Sequence, residues 1–263
     1  MCVFTRAVEN VRATKIFARS VGRDRQFVVY SMTIDFHEEL AMVLALPVAK
    51  GTGEKEVLFL DLKGYPTFFH DLRNGFPPLK SELVVVADNE TLGYTTKRKL
   101  EVIPVGNFEA SFVPTADDFG RLDERFRLPK KVWAKMPQYK NFGFAVFKLK
   151  PGAASIHPMA FSFPRANREA LFFPTLHIHD GVAHPEAEYD HVLFCQQNPA
   201  ETFKLTLWDE SSRVANGFVK TDKTHGIVEA NWHCYRFALQ GKMPNGDVFL
   251  DHHGFEIEAV EIK

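Results

Sequence analysis

Short runs that alternate apolar and polar residues recur along the whole chain, and this period of two constrains the fold more than any other feature. It is plain in RQFVVYSMTIDF (25–36), FGFAVFKLK (142–150), MAFSFP (159–164) and FEIEAVEI (255–262). Successive side chains of a strand point to opposite faces, so such runs predict strands with one face buried. Phenylalanine, at 25 residues, sits in many of these runs, and aromatics favour pleated, half-buried surfaces. From 142 onward the runs return roughly every dozen residues, with turn signals between them, as an antiparallel meander or sandwich does.

Earlier runs fit the same scheme. ATKIFARSV (13–21) and the 25–36 run flank the charged turn GRDR and predict a hairpin. LAMVLALPV (40–48) reads as a buried strand stopped by Pro47, and EVLFLDL (56–62) and FKLTLW (203–208) as further strands. Helical spacing is rarer. Apolar residues at 65, 68, 69, 72 and 76 predict one helix between Gly64 and the Pro77-Pro78 pair. TADDFGRLDERF (115–126) opens on an N-cap candidate, Thr115, followed by acids, and LPKKVWAKMPQY holds Pro129 near a first turn. The polar stretch DNETLGYTTKRK (88–99) reads as a loop. The fold class expected is α+β, mainly antiparallel sheet with a few short helices. One domain spans 1–263, with a candidate subdivision near 140.

Charge is balanced, with 32 Lys+Arg against 33 Asp+Glu, so no basic surface invites nucleic acid. KRK at 97–99 and PKK at 129–131 are too short to change this. Three cysteines, an odd and low number, argue against a disulfide framework and suit a reducing compartment. MCVFTRAVENVRATK has no apolar signal core, and the longest apolar run, LAMVLALPVA, is too short to span a bilayer. A cytoplasmic protein is expected.

The segment FFPTLHIHDGVAHPEAEYDHVLFC (172–195) carries four histidines. If LHIHD is extended, His177 and His179 project to the same face, while Ile178 faces away. The DG pair predicts a turn, which would return the chain past His184 and bring His191 beside the first two. His157, in SIHPMAF, is a further candidate neighbour. Imidazoles with one carboxylate suit a divalent transition metal such as zinc or iron, with Asp180 or Asp190 as ligand or orienting group.

Cys2 follows the initiator Met. Removal of Met1 would give Cys2 a free α-amino group, placing nucleophile and base on one residue as in N-terminal nucleophile hydrolases. Arg19, in IFARSVGRD, matches the arginine that cysteine-type members of that group carry. The Gly-Arg-Asn around it and the following Asp are missing here.

Other combinations carry less chemistry. DHHG (251–254) reads as a turn before a closing strand, because adjacent strand residues face opposite ways. His233 and Cys234 are neighbours in sequence, which does not make a catalytic pair. No phosphate loop, G-x-S-x-G, H-E-x-x-H or C-x-x-C is present.

The runs RQFVVYSMTIDFHEELAMVLALPV, FLDLKGYPTFFHDL, FGFAVFKLKPG and HPMAFSFP…LFFPTLHIHDG resemble a bacterial protein family of unknown function. The resemblance covers most of the chain and implies a shared fold, but no activity, cofactor or site residue.

The residues thus point first to a cytoplasmic metal-binding protein, a metal-dependent hydrolase or oxidoreductase acting on a small-molecule substrate. His177, His179, His191, His157 and His184 are the candidate ligands, and the metal would activate a water. The alternatives are an N-terminal-cysteine amidohydrolase using Cys2 and Arg19, and a non-enzymatic binding or scaffold protein that exposes some of its phenylalanines.

Overall fold

The computed structural model describes residues 2–6, 8, 10–79, 102–105, 108–128, 130–149 and 157–261. In chain order its strands are β1 (Cys2–Phe4), β2 (Asn10–Val21), β3 (Arg25–Asp35), β4 (Leu40–Leu46), β5 (Leu58–Asp61), β6 (Ile103–Val105), β7 (Phe108–Val113), β8 (Gly143–Leu149), β9 (Met159–Pro164), β10 (Leu171–Phe173), β11 (His177–Ile178), β12 (Glu186–Gln196), β13 (Asp209–Glu210), β14 (Tyr235–Pro244), β15 (Gly246–Leu250) and β16 (Phe255–Ala259). Two short helices, α1 (Phe68–Arg73) and α2 (Lys130–Ala134), and several single 3-10 turns complete the described elements. The protein is therefore strand-rich with a few short helices, as the period of two requires. No helix among the described residues is long and apolar enough to cross a membrane.

The strands form three sheets. One has the order β11-β1-β4-β8-β7-β6, a second β13-β14-β12-β2-β3-β9-β5, and a third β10-β15-β16. The six- and seven-stranded sheets pack face to face around the main core. Met42, Leu44, Phe147, Ile16, Val28 and Tyr30 meet there, and the three-stranded sheet adds Leu171, Val248 and Leu250. The apolar run of β4 is explained by this arrangement, because β4 is buried on both faces. Met42 and Leu44 enter the main core, whereas Ala41, Val43 and Ala45 face Phe119, Trp133 and Phe144 beneath α2. On the far side, Phe17 and Val29 receive Phe68 and Leu72 of α1. Edge-to-face ring pairs such as Phe17–Phe68 and Phe59–Phe147 fill these layers.

The expected hairpin forms from β2 and β3, with Gly22 at φ +57° in its turn. The strands pair mainly antiparallel, as expected, but not in the sequential order of a meander. β12 inserts between β14 and β2 and pairs with β2 in parallel, and β1 pairs with β11 in parallel, so two of the sheets are mixed. FKLTLW makes no strand. Lys204 N–H donates to Asp251 O in an irregular segment, though Phe203 and Trp208 still reach the main core. TADDFGRLDERF forms two 3-10 turns, Ala116–Arg121 and Glu124–Phe126, because Leu122 between them is extended at ψ 163°. The 88–99 stretch, Pro129 and Met1 lie outside the described residues.

Candidate functional site

Alternation along the chain at β11 sends Leu176 and Ile178 into the core beneath α2 and turns His177 and His179 the other way. Their rings lie 5.0 Å apart, as two positions on one face of a strand require. β12 meets them from the seven-stranded sheet. His191 stacks on His177 with centroids 4.9 Å apart, and the two Nε2 atoms are 3.2 Å apart. Tyr189, two residues earlier on the same strand, packs on His177 at 4.7 Å, and Phe4 of β1 packs on His179 at 5.8 Å. His177, His179 and His191 thus meet where two sheets touch. They meet without the expected hairpin, because β11 and β12 belong to different sheets.

Side chains that the sequence reading passed over hold this seam. Asn245 acts as a substitute strand for His177. Its Oδ1 accepts from His177 N–H at 2.8 Å, and its Nδ2 donates to His177 O at 2.8 Å and His184 O at 2.9 Å. The carboxylate of Asp247 accepts from the amides of Thr175 and Leu176, at 2.7 and 2.9 Å, and from Tyr139 Oη–H at 2.9 Å. Asp190 accepts from the Ala13 amide at 2.5 Å through Oδ2 and lies 3.5 Å from His191 Nδ1 through Oδ1.

Burial keeps the imidazoles neutral. His191 is 1% exposed, and loss of solvation lowers its pKa to about 4 in spite of Asp190. Burial likewise lowers His179 to about 4. It lowers His177 further, assisted by the like charge of His191. Asp247 is pushed up to about 6 by burial, against the pull of its hydrogen bonds. Burial also opposes ionisation of Asp190, but the nearby His191 and the bond from the Ala13 amide outweigh it and hold the carboxyl below its ordinary value.

The metal-enzyme expectation is corrected here. No group of three or more His, Cys, Asp or Glu among the described residues could hold a metal ion. The physical reason is the missing third donor. The Nε2 atoms of His177 and His191 come together, but no further His, Cys, Asp or Glu among the described residues joins them. His184 bonds Asp180 at 2.9 Å on the exposed surface, away from the stacked rings. His157 stacks on Phe108 at 4.6 Å and directly precedes β9. β9 lies three strands from β12, roughly 14 Å at sheet spacing.

The amidohydrolase expectation loses its arginine. The Cys2 backbone lies in β1, opposite His177, whereas Arg19 lies in β2 of another sheet. Arg19 is 4% exposed, donates to Ile227 O and Gly226 O, and pairs with Glu229 at 3.3 Å. Its guanidinium is committed to the fold. Cys195 and Cys234 are free and buried, and burial raises both thiols, Cys234 to about 12. Neither is primed as a nucleophile.

The three-stranded sheet holds a second feature. In the β15–β16 ladder, Val260 N–H donates to Asn245 O at 2.7 Å and Asp251 N–H to Gly254 O at 3.0 Å. With this phase, Glu256 and Glu258 turn their amides and carbonyls toward β15. Phe255, Ile257 and Ala259 turn theirs outward, and β16 has no strand beyond it among the described residues. Phe255 and Ile257 are half-buried against the main core, with Phe255 4.9 Å from Phe237 of β14, and Glu256 and Glu258 are exposed on the opposite face. The alternation of FEIEAVEI predicts a closing strand here. Nothing local to a strand shows whether its outer side will be covered.

No protein-family model and no curated protein matches the chain. Among solved structures it is similar to baculovirus P35, at 15% identity over 92% of this chain and 96% of that one, with a TM-score of 0.46. It is also similar to P35 in the caspase-8/P35 complex, at 13% identity over 91% of this chain and 96% of that one, with a TM-score of 0.48. At these values the likeness carries nothing about activity or partners to this chain.

Proposed function

We propose that this chain is a protein-binding β scaffold, which takes an extended segment of another protein onto the outer edge of β16, unpaired among the described residues, as an added strand. The carrying observation is the outward-turned backbone of Phe255, Ile257 and Ala259. Three amides and three carbonyls there are spaced as a strand partner needs them, so main-chain hydrogen bonds would supply affinity. Of the devices that blunt an edge, FEIEA lacks proline, lysine and a bulge, and carries only the charges of Glu256 and Glu258. Buried free thiols at Cys195 and Cys234 suit a reducing, cytoplasmic setting.

Ile257→Pro tests this reading. It removes an amide that points away from β15, so the internal ladder keeps its bonds. Extended peptides of alternating pattern are titrated into labelled protein while the amides of Phe255, Ile257 and Ala259 are followed by hydrogen exchange. Protection of those amides in the parent chain, and loss of binding in Ile257→Pro, is expected. If no peptide of any charge pattern protects them, the reading is wrong.

A further inference from the structure

We infer that the segment received by β16 is basic at alternate positions: an apolar–basic–apolar–basic strand whose cations face Glu256 and Glu258. This deepens the edge-binding reading above and rests on it. Side chains directly opposite on adjacent strands lie roughly 5 Å apart, so every second residue of an added strand would stand beside Glu256 or Glu258. Both carboxylates are exposed, and no cation pairs with either among the described residues. The residue across from Glu258 within the sheet is Asp247, another acid. Glu261 adds an exposed acid just past the strand. The Glu258 carboxyl is held above its ordinary value, first by burial and then by its like-charged neighbour Glu256. A cation beside the pair relieves that repulsion.

The same charges select against a second copy of this chain. In an antiparallel β16–β16 pairing centred on Ile257, Glu256 of one copy would stand opposite Glu258 of the other. Like charges directly opposed across strands destabilise the pairing. The edge is therefore guarded against itself and open to a chain of opposite sign. The other face sets the apolar half of the pattern. Residues opposite Phe255 and Ile257 would lie on the core side, beside rings continuous with Phe237. Val, Ile or Leu suits that side better than a charge.

The probes are three synthetic peptides that alternate valine with lysine, with threonine or with glutamate, N-methylated on one edge to prevent self-stacking. Binding is measured by fluorescence anisotropy at low and high salt. In parallel, amide exchange at residues 255, 257 and 259 reports where the peptide sits. The lysine peptide should bind about tenfold tighter than the threonine peptide at low salt and lose most of that margin at high salt. The glutamate peptide should bind most weakly. Glu256→Gln/Glu258→Gln, with its thermal melting checked against the parent, should bind lysine and threonine peptides alike. If lysine and threonine peptides bind the parent equally, and both protect the edge amides, the basic class is wrong while edge binding stands. If no peptide protects those amides, both readings fall.

Discussion

The amide of Ala13 donates to Asp190 Oδ2, and this bond ties a left-handed kink in β2 to the carboxylate beside His191. Ala13 has φ 52°, a conformation that costs a residue with a Cβ roughly 1–2 kcal/mol. It sits where the β2–β3 register slips between Arg12 and Lys15. The slip is a bulge, and Asp190 accepts the amide that the bulge leaves without a ladder partner.

Asp190→Ala should therefore destabilise the protein by about 1–3 kcal/mol, because it orphans the Ala13 amide and uncovers His191 Nδ1. Ala13→Gly should be neutral or stabilising by up to about 1 kcal/mol, since glycine accepts the positive φ without strain. Urea denaturation of both variants checks this. A clear loss of stability in Ala13→Gly would show that the kink is not strained.

Acid should loosen the histidine seam. Unfolded histidines take up protons near pH 6.5, whereas folded His179 and His191 resist until about pH 4. The unfolded chain then binds more protons through that window. Stability is full above it and falls as pH drops, by ~1.4 kcal/mol per pH unit for each histidine. Asp247 opposes this, because its folded carboxyl takes up a proton from about pH 6 downward, before its unfolded counterpart does. The lowered imidazoles of His177, His179 and His191 together outweigh one carboxyl, so the net effect is destabilising. Melting temperature followed between neutral and mildly acid pH should fall, and His191→Leu should flatten the slope.

Asp247 should tolerate an amide but not truncation. Asp247→Ala strips acceptors from Thr175, Leu176 and Tyr139 together, and should cost about 3 kcal/mol or more. Asp247→Asn keeps one oxygen for the two amides, and Tyr139 Oη can accept from the new amide group, so about 1 kcal/mol is expected. Equal losses in the two variants, measured by denaturant melts, would contradict this account.

Gly246 should be intolerant of any side chain. A Cβ there would stand 2.0 Å from Glu258 O and 3.0 Å from Ala259 Cα. Gly246→Ala should push β16 away from β15 at a cost of roughly 2–4 kcal/mol, with faster exchange of the Glu256 and Glu258 amides. Peptide binding to the β16 edge should weaken with it.

Much of the local structure was legible from residue patterns. The β2–β3 hairpin, the buried β4 run, α1 between Gly64 and Pro77, and the shared face of His177 and His179 follow from periods of two and 3.6 and from turn residues. The mainly antiparallel pairing follows from the same patterns, but the order of the strands does not, because a regular spacing of strands says nothing about which strand lies beside which. FKLTLW was misread because Phe203 and Trp208 reach the core from irregular chain, where alternation is accidental.

Residue patterns over short stretches set which segments extend, which faces they bury and that His177 and His179 stand together. These are local matters, set by side-chain alternation and backbone preference over a few residues. Packing in three dimensions sets that β12 enters in parallel beside β2, that His191 stacks on His177, and that Asn245 and Asp247 replace a missing strand. It also sets that β16 ends its sheet with Phe255, Ile257 and Ala259 facing outward. Each depends on contacts between residues far apart in the chain, and the order of strands that brings them together is chosen by burial summed over three cores at once.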